Sequence, residues 1–563
     1  MEPVIVTQKA NCRNCYKCIR SCPQGAIAFS DDQARVLSEE CILCGRCVEV
    51  CPQGAQQVQS DLVNVRRMLS MGLKVYASVA PSWLAAFPDI TFPQFSAALK
   101  KLGFTGVEET AAGAAQVSLE YARLMAKGER DNIISTCCPS LVLLVERQYP
   151  DLTPLLAPVV SPAVAHSKML RSMFGSRIKT VFIGPCPAKH WEKQENAALS
   201  AVLLFEELKT LLSEKGVAFG EEDTQCTETH TPLSRLYPSP GGIIATIPAN
   251  KRQGYKTYAV SGVEGCKETL EAVRQGQIHG YFLELNTCLG SCAHGPGISR
   301  EKAPAILVKE RLLSAARKKS IGAPSVSESA QVDLTTQFHP QKKKERQPRE
   351  EEIAAILAQT GKVTKEDLLN CGACGYPTCR DKAVAVWQGK ADVRMCLPYM
   401  REKAESMSNL IIEYAPSAIL LLSPEEKLLE YNHKAMEMLG IRGKGARGHE
   451  VQDFLEDGLP PREEWPVSDQ PAFVKGGERQ VRLSVVEMPG GDAIVLLRDV
   501  TREDEDRTAF EKKRDQTLHI AQEAVDRQMR MVQQVARLLG ETTGETKAAL
   551  LRMEQAVKGE KRR

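Results

Sequence analysis

The chain has 563 residues, 19 of them cysteine, and its 73 Lys plus Arg nearly balance 70 Asp plus Glu. A formal charge of +3 gives no electrostatic footprint for nucleic acid. With 43% apolar and 25% charged residues, the chain reads as an ordinary folded protein of several domains, at roughly 100–200 residues each.

No apolar run approaches the ~20 residues of a membrane span. Met1-Glu2-Pro3-Val4 lacks a basic region followed by an apolar one, so no signal peptide is expected. A cytoplasmic protein with this many cysteines points to metal or redox chemistry rather than disulfides.

Residues 1–60 hold Cys12, Cys15, Cys18 and Cys22 before Pro23, then Cys41, Cys44, Cys47 and Cys51 before Pro52. This is C-x2-C-x2-C-x3-C-P given twice, the bacterial two-cluster ferredoxin pattern, in which the fourth cysteine of each run ligates the other cluster. One 4Fe-4S cluster is expected on Cys12, Cys15, Cys18 and Cys51. A second is expected on Cys41, Cys44, Cys47 and Cys22. A pair of zinc sites is the alternative, but zinc favours two separated C-x2-C pairs.

Residues 61–313 alternate strands and helices. Lys74 to Ala80 reads as a strand ending at Pro81, and Ile178 to Ile183 as another entering Gly184-Pro185-Cys186. Phe205 to Leu212 reads as an amphipathic helix closed by Gly216. An α/β domain follows, with active residues expected at strand ends.

Three short segments stand out there: Ser135-Thr136-Cys137-Cys138-Pro139, Gly184-Pro185-Cys186-Pro187-Ala188-Lys189, and Glu284-Leu285-Asn286-Thr287-Cys288-Leu289-Gly290-Ser291-Cys292. Each alone is weak, since a lone buried cysteine is usually a small hydrophobe. Together, behind a ferredoxin module, they resemble the three H-cluster motifs of FeFe hydrogenases, in the same order. The resemblance covers residues 1 to about 310.

It implies that Cys138, Cys186, Cys288 and Cys292 hold a third 4Fe-4S cube. Cys292 would bridge it to a diiron unit carrying CO, CN and dithiolate ligands. Lys189 matches the lysine that hydrogen-bonds a cyanide, and Pro81 and Ser82 match the segment lining the dithiolate. Ser161, before Pro162, matches a step near the proton route. Cys137 matches the cysteine that passes protons to the cluster. Such a protein implies dedicated maturation enzymes, an anaerobic setting, and dihydrogen and protons as substrates.

Three positions depart from the pattern. Gly184 and Asn286 stand where the family has methionines against the diiron unit, so Gly184 is expected to open space and Asn286 to add hydrogen-bonding groups. Tyr121 stands where the family has a proton-relaying glutamate. A phenol of pKa near ~10 is a poor relay at neutral pH, and slow turnover is expected unless a neighbouring carboxylate or water substitutes.

Residues 314–352 lose periodicity and end in a basic run, which reads as a solvated linker. Residues 353–402 carry Cys371, Cys374, Cys379 and Cys396, spaced C-x2-C-x4-C-x16-C. This resembles a small 4Fe-4S domain of redox and corrinoid proteins, with zinc as the alternative.

Residues 403–505 alternate short strands with one helix, Lys434 to Leu439, and a hairpin turn at Pro489-Gly490-Gly491-Asp492. The stretch resembles a PAS domain with Asp499-Val500-Thr501 at its output junction. It is α+β, and His433 reads as a surface residue at a helix start rather than a ligand.

In residues 506–563, Leu518, Val525, Val532 and Leu539 fall seven apart, a coiled-coil seam that would make a homodimer. The stretch to Arg563 has no ATP-binding glycine boxes, which argues against a kinase.

The expectation is a multidomain α/β chain acting as a sensory FeFe hydrogenase. Its electrons would go to the clusters, a ferredoxin or another redox partner. Its output would go to a separate kinase, phosphatase or regulator. A catalytic ferredoxin-linked hydrogenase and a non-enzymatic Fe-S electron-transfer scaffold are the alternatives. Cys226 and Cys266, outside every motif, read as packing or surface thiols.

Overall fold

A computed structural model describes residues 2–228, 231–298, 303–318, 323–324, 330–341, 347–441, 443–476, 480–500, 523–529 and 531. It divides into two compact units. The first is Met1–Ala354 with Gly375–Asp392, and the second is Ala355–Cys374 with Val393–Arg563.

In the first unit, Ile5–Thr7 pairs antiparallel with Gln56–Val58, closing residues 1–60 end to end. Ile27–Ser30 and Gln33–Val36 form a hairpin. Its two turn residues, Asp31 and Asp32, both take positive φ, as the tight hairpin turn requires. The Phe29 N–H donates to Lys390 O at 2.8 Å, and Lys390 Nζ lies 2.8 Å from Glu40. Gly375–Asp392 thus packs within the unit that holds the ferredoxin module.

Two parallel sheets carry the middle region. One orders Gly106–Glu109, Val75–Val79, Lys179–Gly184 and Ala201–Leu204. The other orders Lys256–Ser261, Tyr281–Asn286 and Ile133–Ile134. The central strands are nearly continuous in Val, Ile, Leu and Ala and almost wholly buried, as parallel strands covered on both faces must be. The helix Ala111–Lys127 crosses Pro162–Phe174 at Gly113, where an added Cβ would meet Pro162 O at 2.5 Å. Only glycine allows that approach.

The segment read as a solvated linker is partly packed. The helix Ala305–Arg317 runs past position 314. Leu334 is buried, and its carbonyl accepts the Val160 N–H at 2.9 Å. His339 N–H donates to Glu146 Oε1 at 2.9 Å. The run from 330 to 341 is a strap whose polar backbone finds partners in the α/β domain, which composition alone does not reveal.

In the second unit, the helix Leu397–Glu413 runs through the boundary expected at 402/403. A five-stranded antiparallel sheet follows. Its order is Leu428–Tyr431, Ala418–Leu422, Ala493–Asp499, Gln480–Glu487 and Val467–Phe473. The helix His433–Leu439 is capped by Asn432 Oδ1, which accepts the Ala435 N–H at 2.9 Å. His433 is exposed at its start, as expected. Of the coiled-coil stretch, 523–529 and 531 are described; Leu518, Val532, Leu539 and Thr501 lie outside the described residues.

Candidate active site

The ferredoxin thiols gather in two sets. Burial, with Cys15, Cys12 and Cys51 beside it, pushes the Cys18 thiol up to about 12. Burial, with Cys22 and Cys41 beside it, pushes Cys44 up to about 12. Cys51 therefore sits with the first trio and Cys22 with the second, the exchange the spacing predicts. Thiolates this close repel one another and need a shared cation to stay ionised.

The middle cysteines converge as well. Strands Val75–Val79, Ile133–Ile134, Lys179–Gly184 and Tyr281–Asn286 are parallel members of the two sheets. Each ends within a few residues of Pro81-Ser82, Cys137-Cys138, Cys186 or Cys288. Their C-terminal ends surround a cavity lined by Cys138, Cys186, Cys288 and Cys292, the strand-end placement expected of α/β sheets. Cys137, Lys189, Pro81, Ser82 and Asn286 line it too, and Cys44 of the ferredoxin module reaches its wall.

The donor set suits an iron–sulfur group. Burial and the neighbouring Cys138 raise the Cys186 thiol to about 12. Burial and Cys186, Cys292 and Cys138 raise Cys288 further. The buried Ser82 hydroxyl has no hydrogen-bond partner, so a polar group aimed into the cavity awaits one. Among the described residues, no three His, Cys, Asp or Glu side chains are gathered to hold a single metal ion. The thiols instead ring a space of cluster size.

Lys189 and Ser161 meet around a residue the sequence reading missed. Lys189 Nζ donates to Ser161 Oγ at 2.7 Å and to Glu192 Oε2 at 2.6 Å. Ser161 Oγ donates to the same carboxylate oxygen at 2.8 Å. Burial alone would lower the lysine's pKa, but Glu192 and Cys186 hold it above the ordinary value, so the ammonium stays charged. Glu192 lies three residues after Lys189 on one short helix, a spacing that puts both on one face and was readable.

Cys137 touches Tyr121. The tyrosine hydroxyl lies 3.2 Å from Cys137 Sγ and accepts the Thr136 N–H at 2.9 Å. Burial raises Tyr121 well above its ordinary value and Cys137 to about 12. A second buried carboxyl, Glu284, is pushed up to about 7 by burial. Backbone N–H groups of Gly241 and Ile244 donate to it at 2.9 and 3.0 Å and oppose that rise.

Gly184 does not open space. A Cβ there would lie 2.6 Å from the Phe182 ring, and Phe182 lines the cavity in its place. The smaller residue admits a neighbouring aromatic from the same strand. Asn286, at the end of its strand, is buried; its backbone oxygen accepts from Gly262 N–H at 2.8 Å.

The ferredoxin module is fastened to this domain by charge. Arg46 forms a two-pronged pair with Glu264, at 2.5 and 2.9 Å. Arg147, at the end of the helix that Cys138 caps, donates to Cys41 O at 2.7 Å. Lys267 Nζ donates to Pro23 O at 2.6 Å.

In the fourth set, Cys379 starts a helix of the first unit. Cys371, Cys374 and Cys396 belong to the second, with Cys374 and Cys396 buried and Cys371 exposed. Cys226 and Cys266 are buried, as packing thiols should be.

Residues 73–296 match the family described as iron only hydrogenase large subunit, C-terminal domain. Residues 4–52 match a 4Fe-4S dicluster domain, and 369–398 a putative Fe-S cluster. The chain is 26% identical over 358 residues to the periplasmic Fe hydrogenase large subunit of Nitratidesulfovibrio vulgaris, covering 51% of this chain and 85% of that protein. It is 20% identical over 283 residues to iron hydrogenase 1 of Clostridium pasteurianum, covering 41% of this chain and 49% of that protein. A solved variant of the FeFe-hydrogenase HydA1 from Chlamydomonas reinhardtii aligns at 16% identity and a TM-score of 0.40, over 51% of this chain and 100% of that one. Among the described residues, no helix is long and apolar enough to cross a membrane.

Proposed function

We propose that the chain is a sensory iron hydrogenase, because residues 73–296 match the iron only hydrogenase large-subunit family. It binds dihydrogen, oxidises it slowly, passes electrons along 4Fe-4S clusters and reports through its C-terminal arm. The observation that carries this is the cavity at four strand ends, into which three separate motifs deliver four thiols, Cys137 and Lys189, and the end of Val75–Val79 delivers Ser82.

Cys138, Cys186, Cys288 and Cys292 would hold the H-cluster, which when bound supplies the metal centre at which dihydrogen is split into protons and electrons. Lys189 presents a fixed ammonium donor to anionic ligands, which suits cyanide. Ser82 offers a free hydroxyl, and Asn286 replaces an apolar wall with an amide. Cys137 Sγ holds the proton nearest the cavity. Its hydrogen-bond neighbour is a buried phenol, not a carboxylate, which supports slow proton exchange. The ferredoxin thiols lead electrons away, with Cys44 nearest the cavity.

The five-stranded antiparallel sheet with its short helix supports a PAS-like reading of 403–505. The arm beyond it would form a homodimeric coil and engage a separate kinase, phosphatase or regulator. A second reading, a catalytic hydrogenase linked to ferredoxin, is favoured by the half-buried Glu192 carboxylate on Lys189 and Ser161.

Turnover of the matured full chain separates the two. A sensor works far below catalytic relatives, and dihydrogen changes hydrogen exchange in the C-terminal arm. Turnover equal to those relatives, with exchange unmoved, would establish the catalytic reading.

A further inference from the structure

Lys362 is a buried lysine outside every motif. Only 8% of its surface is exposed. Its ammonium donates to Thr360 O at 3.1 Å, to Thr360 Oγ1 at 3.2 Å and to Cys396 Sγ at 3.2 Å. The Asp367 carboxylate feels this charge, but its hydrogen bonds go to Val363 and Thr364. None of the three acceptors around the ammonium is a carboxylate.

Burying an ammonium among neutral acceptors is unfavourable, because the charge loses water and gains no opposite charge in return. A neutral thiol is a weak acceptor. A thiolate bound to an iron–sulfur cube is a charged one, and four such thiolates leave the whole centre anionic. With Asp367 engaged by Val363 and Thr364, the charged acceptor in hydrogen-bond reach of the ammonium would be Cys396 once it ligates a cluster. The ferredoxin sulfurs receive neutral amide donors instead, from Leu43 N–H to Cys41 at 3.4 Å and from Ala55 N–H to Cys51 at 3.2 Å.

Hydrogen bonds to cluster sulfurs, net charge and exposure set reduction potential. An ammonium stabilises the state with one more electron, because that state is more negative by one charge.

We propose that Lys362, through its hydrogen bond to Cys396 Sγ, raises the reduction potential of the C-terminal 4Fe-4S centre. In the one-electron couple the cluster gains one electron and the ammonium keeps its proton. Lys362 acts through Cys396 and is a positioning residue. The proposal rests on Cys396 ligating a 4Fe-4S cluster.

The test is an anaerobic redox titration of the reconstituted full chain, followed by electron paramagnetic resonance with dithionite as reductant. Iron content and the signal lost in Cys396→Ala identify the C-terminal centre. If wild type shows no such signal, the cluster reading falls, whatever Lys362 does. With the signal present, Lys362→Gln should move its midpoint to lower potential and leave the other signals where they are. Lys362→Arg should keep the wild-type midpoint. A Lys362→Gln protein with a full cluster and an unmoved midpoint would overturn the proposal. So would loss of the cluster in Lys362→Gln with retention in Lys362→Arg, which would make the residue merely structural.

Discussion

Cys137 is the one cavity thiol outside the proposed cluster-ligand set, and its hydrogen-bond neighbour is the hydroxyl of Tyr121. Removing the sulfur should leave all the clusters and remove the nearest proton carrier. Cys137→Ala should keep its iron content and lose about 10²–10⁴-fold in dihydrogen turnover, the usual worth of a positioned acid–base group. Unchanged turnover would put the protons on another route, and Glu192 would be the first residue to examine. The grouping of the cysteines was legible at this scale because three thiols on one turn are a local property of the chain. Phe182 filling the place beside Gly184 was not, because which side chain enters a vacated space depends on the strands around it.

At the scale of elements, two buried charges hold the site's scaffold. Arg235 meets Glu109 at 2.7 Å, with both side chains buried, and donates to it again through Nε at 3.0 Å. Glu109 ends the edge strand Gly106–Glu109, one residue before Thr110 of the cavity wall. Arg235→Ala would remove that carboxylate's guanidinium partner and should cost about 3–5 kcal/mol, read as a lowered denaturation midpoint. A change below about 1 kcal/mol would show that water compensates the charge.

Asp61 opens the helix Leu62–Ser70 and accepts from Lys193 Nζ at 2.7 Å and from Val202 N–H at 2.9 Å. Burial alone would raise its pKa, but hydrogen bonds from His190 and Lys193 and from the Val202 N–H bring it down to about 2. An unfolded carboxyl sits near ~3.9, so Asp61 contributes stability above about pH 4 that is lost as pH falls towards about 2, on the order of 2–3 kcal/mol. Acid denaturation should therefore be steeper in wild type than in Asp61→Asn. Parallel acid limbs would deny the contribution. Lys193 and His190 share the helix that begins at Lys189, so this joint also steadies the site.

Most strands of these elements were legible from their hydrophobic runs. Val467–Phe473 was not. It pairs on one side only and contains Pro471, which breaks the ladder pattern that marks a strand. The pairing of Glu109 with Arg235 joins residues 126 apart, a separation no local pattern encodes.

For the whole molecule, the order of modules was legible because each cysteine group announces itself. Their boundaries were less so. The strap from 330 to 341 and the fastening of Gly375–Asp392 beside the ferredoxin hairpin are long-range packing, and polar composition disguised both.

If the chain is a sensor, the C-terminal arm must change its conformational population when the clusters change redox state. Dihydrogen should then alter amide exchange in Leu397–Glu413 and the sheet after it. Exchange identical under dihydrogen and argon, with partner binding also unchanged, would remove the sensing role and leave the hydrogenase.

The central claim is that the cavity at the four strand ends holds a diiron unit on a cube. Infrared spectroscopy of the matured, oxygen-free protein tests it most directly. A hydrogenase site predicts bands of metal-bound carbonyl and cyanide that disappear in Cys292→Ala. A matured protein with full 4Fe-4S iron and no such bands would contradict it and leave an electron-transfer scaffold.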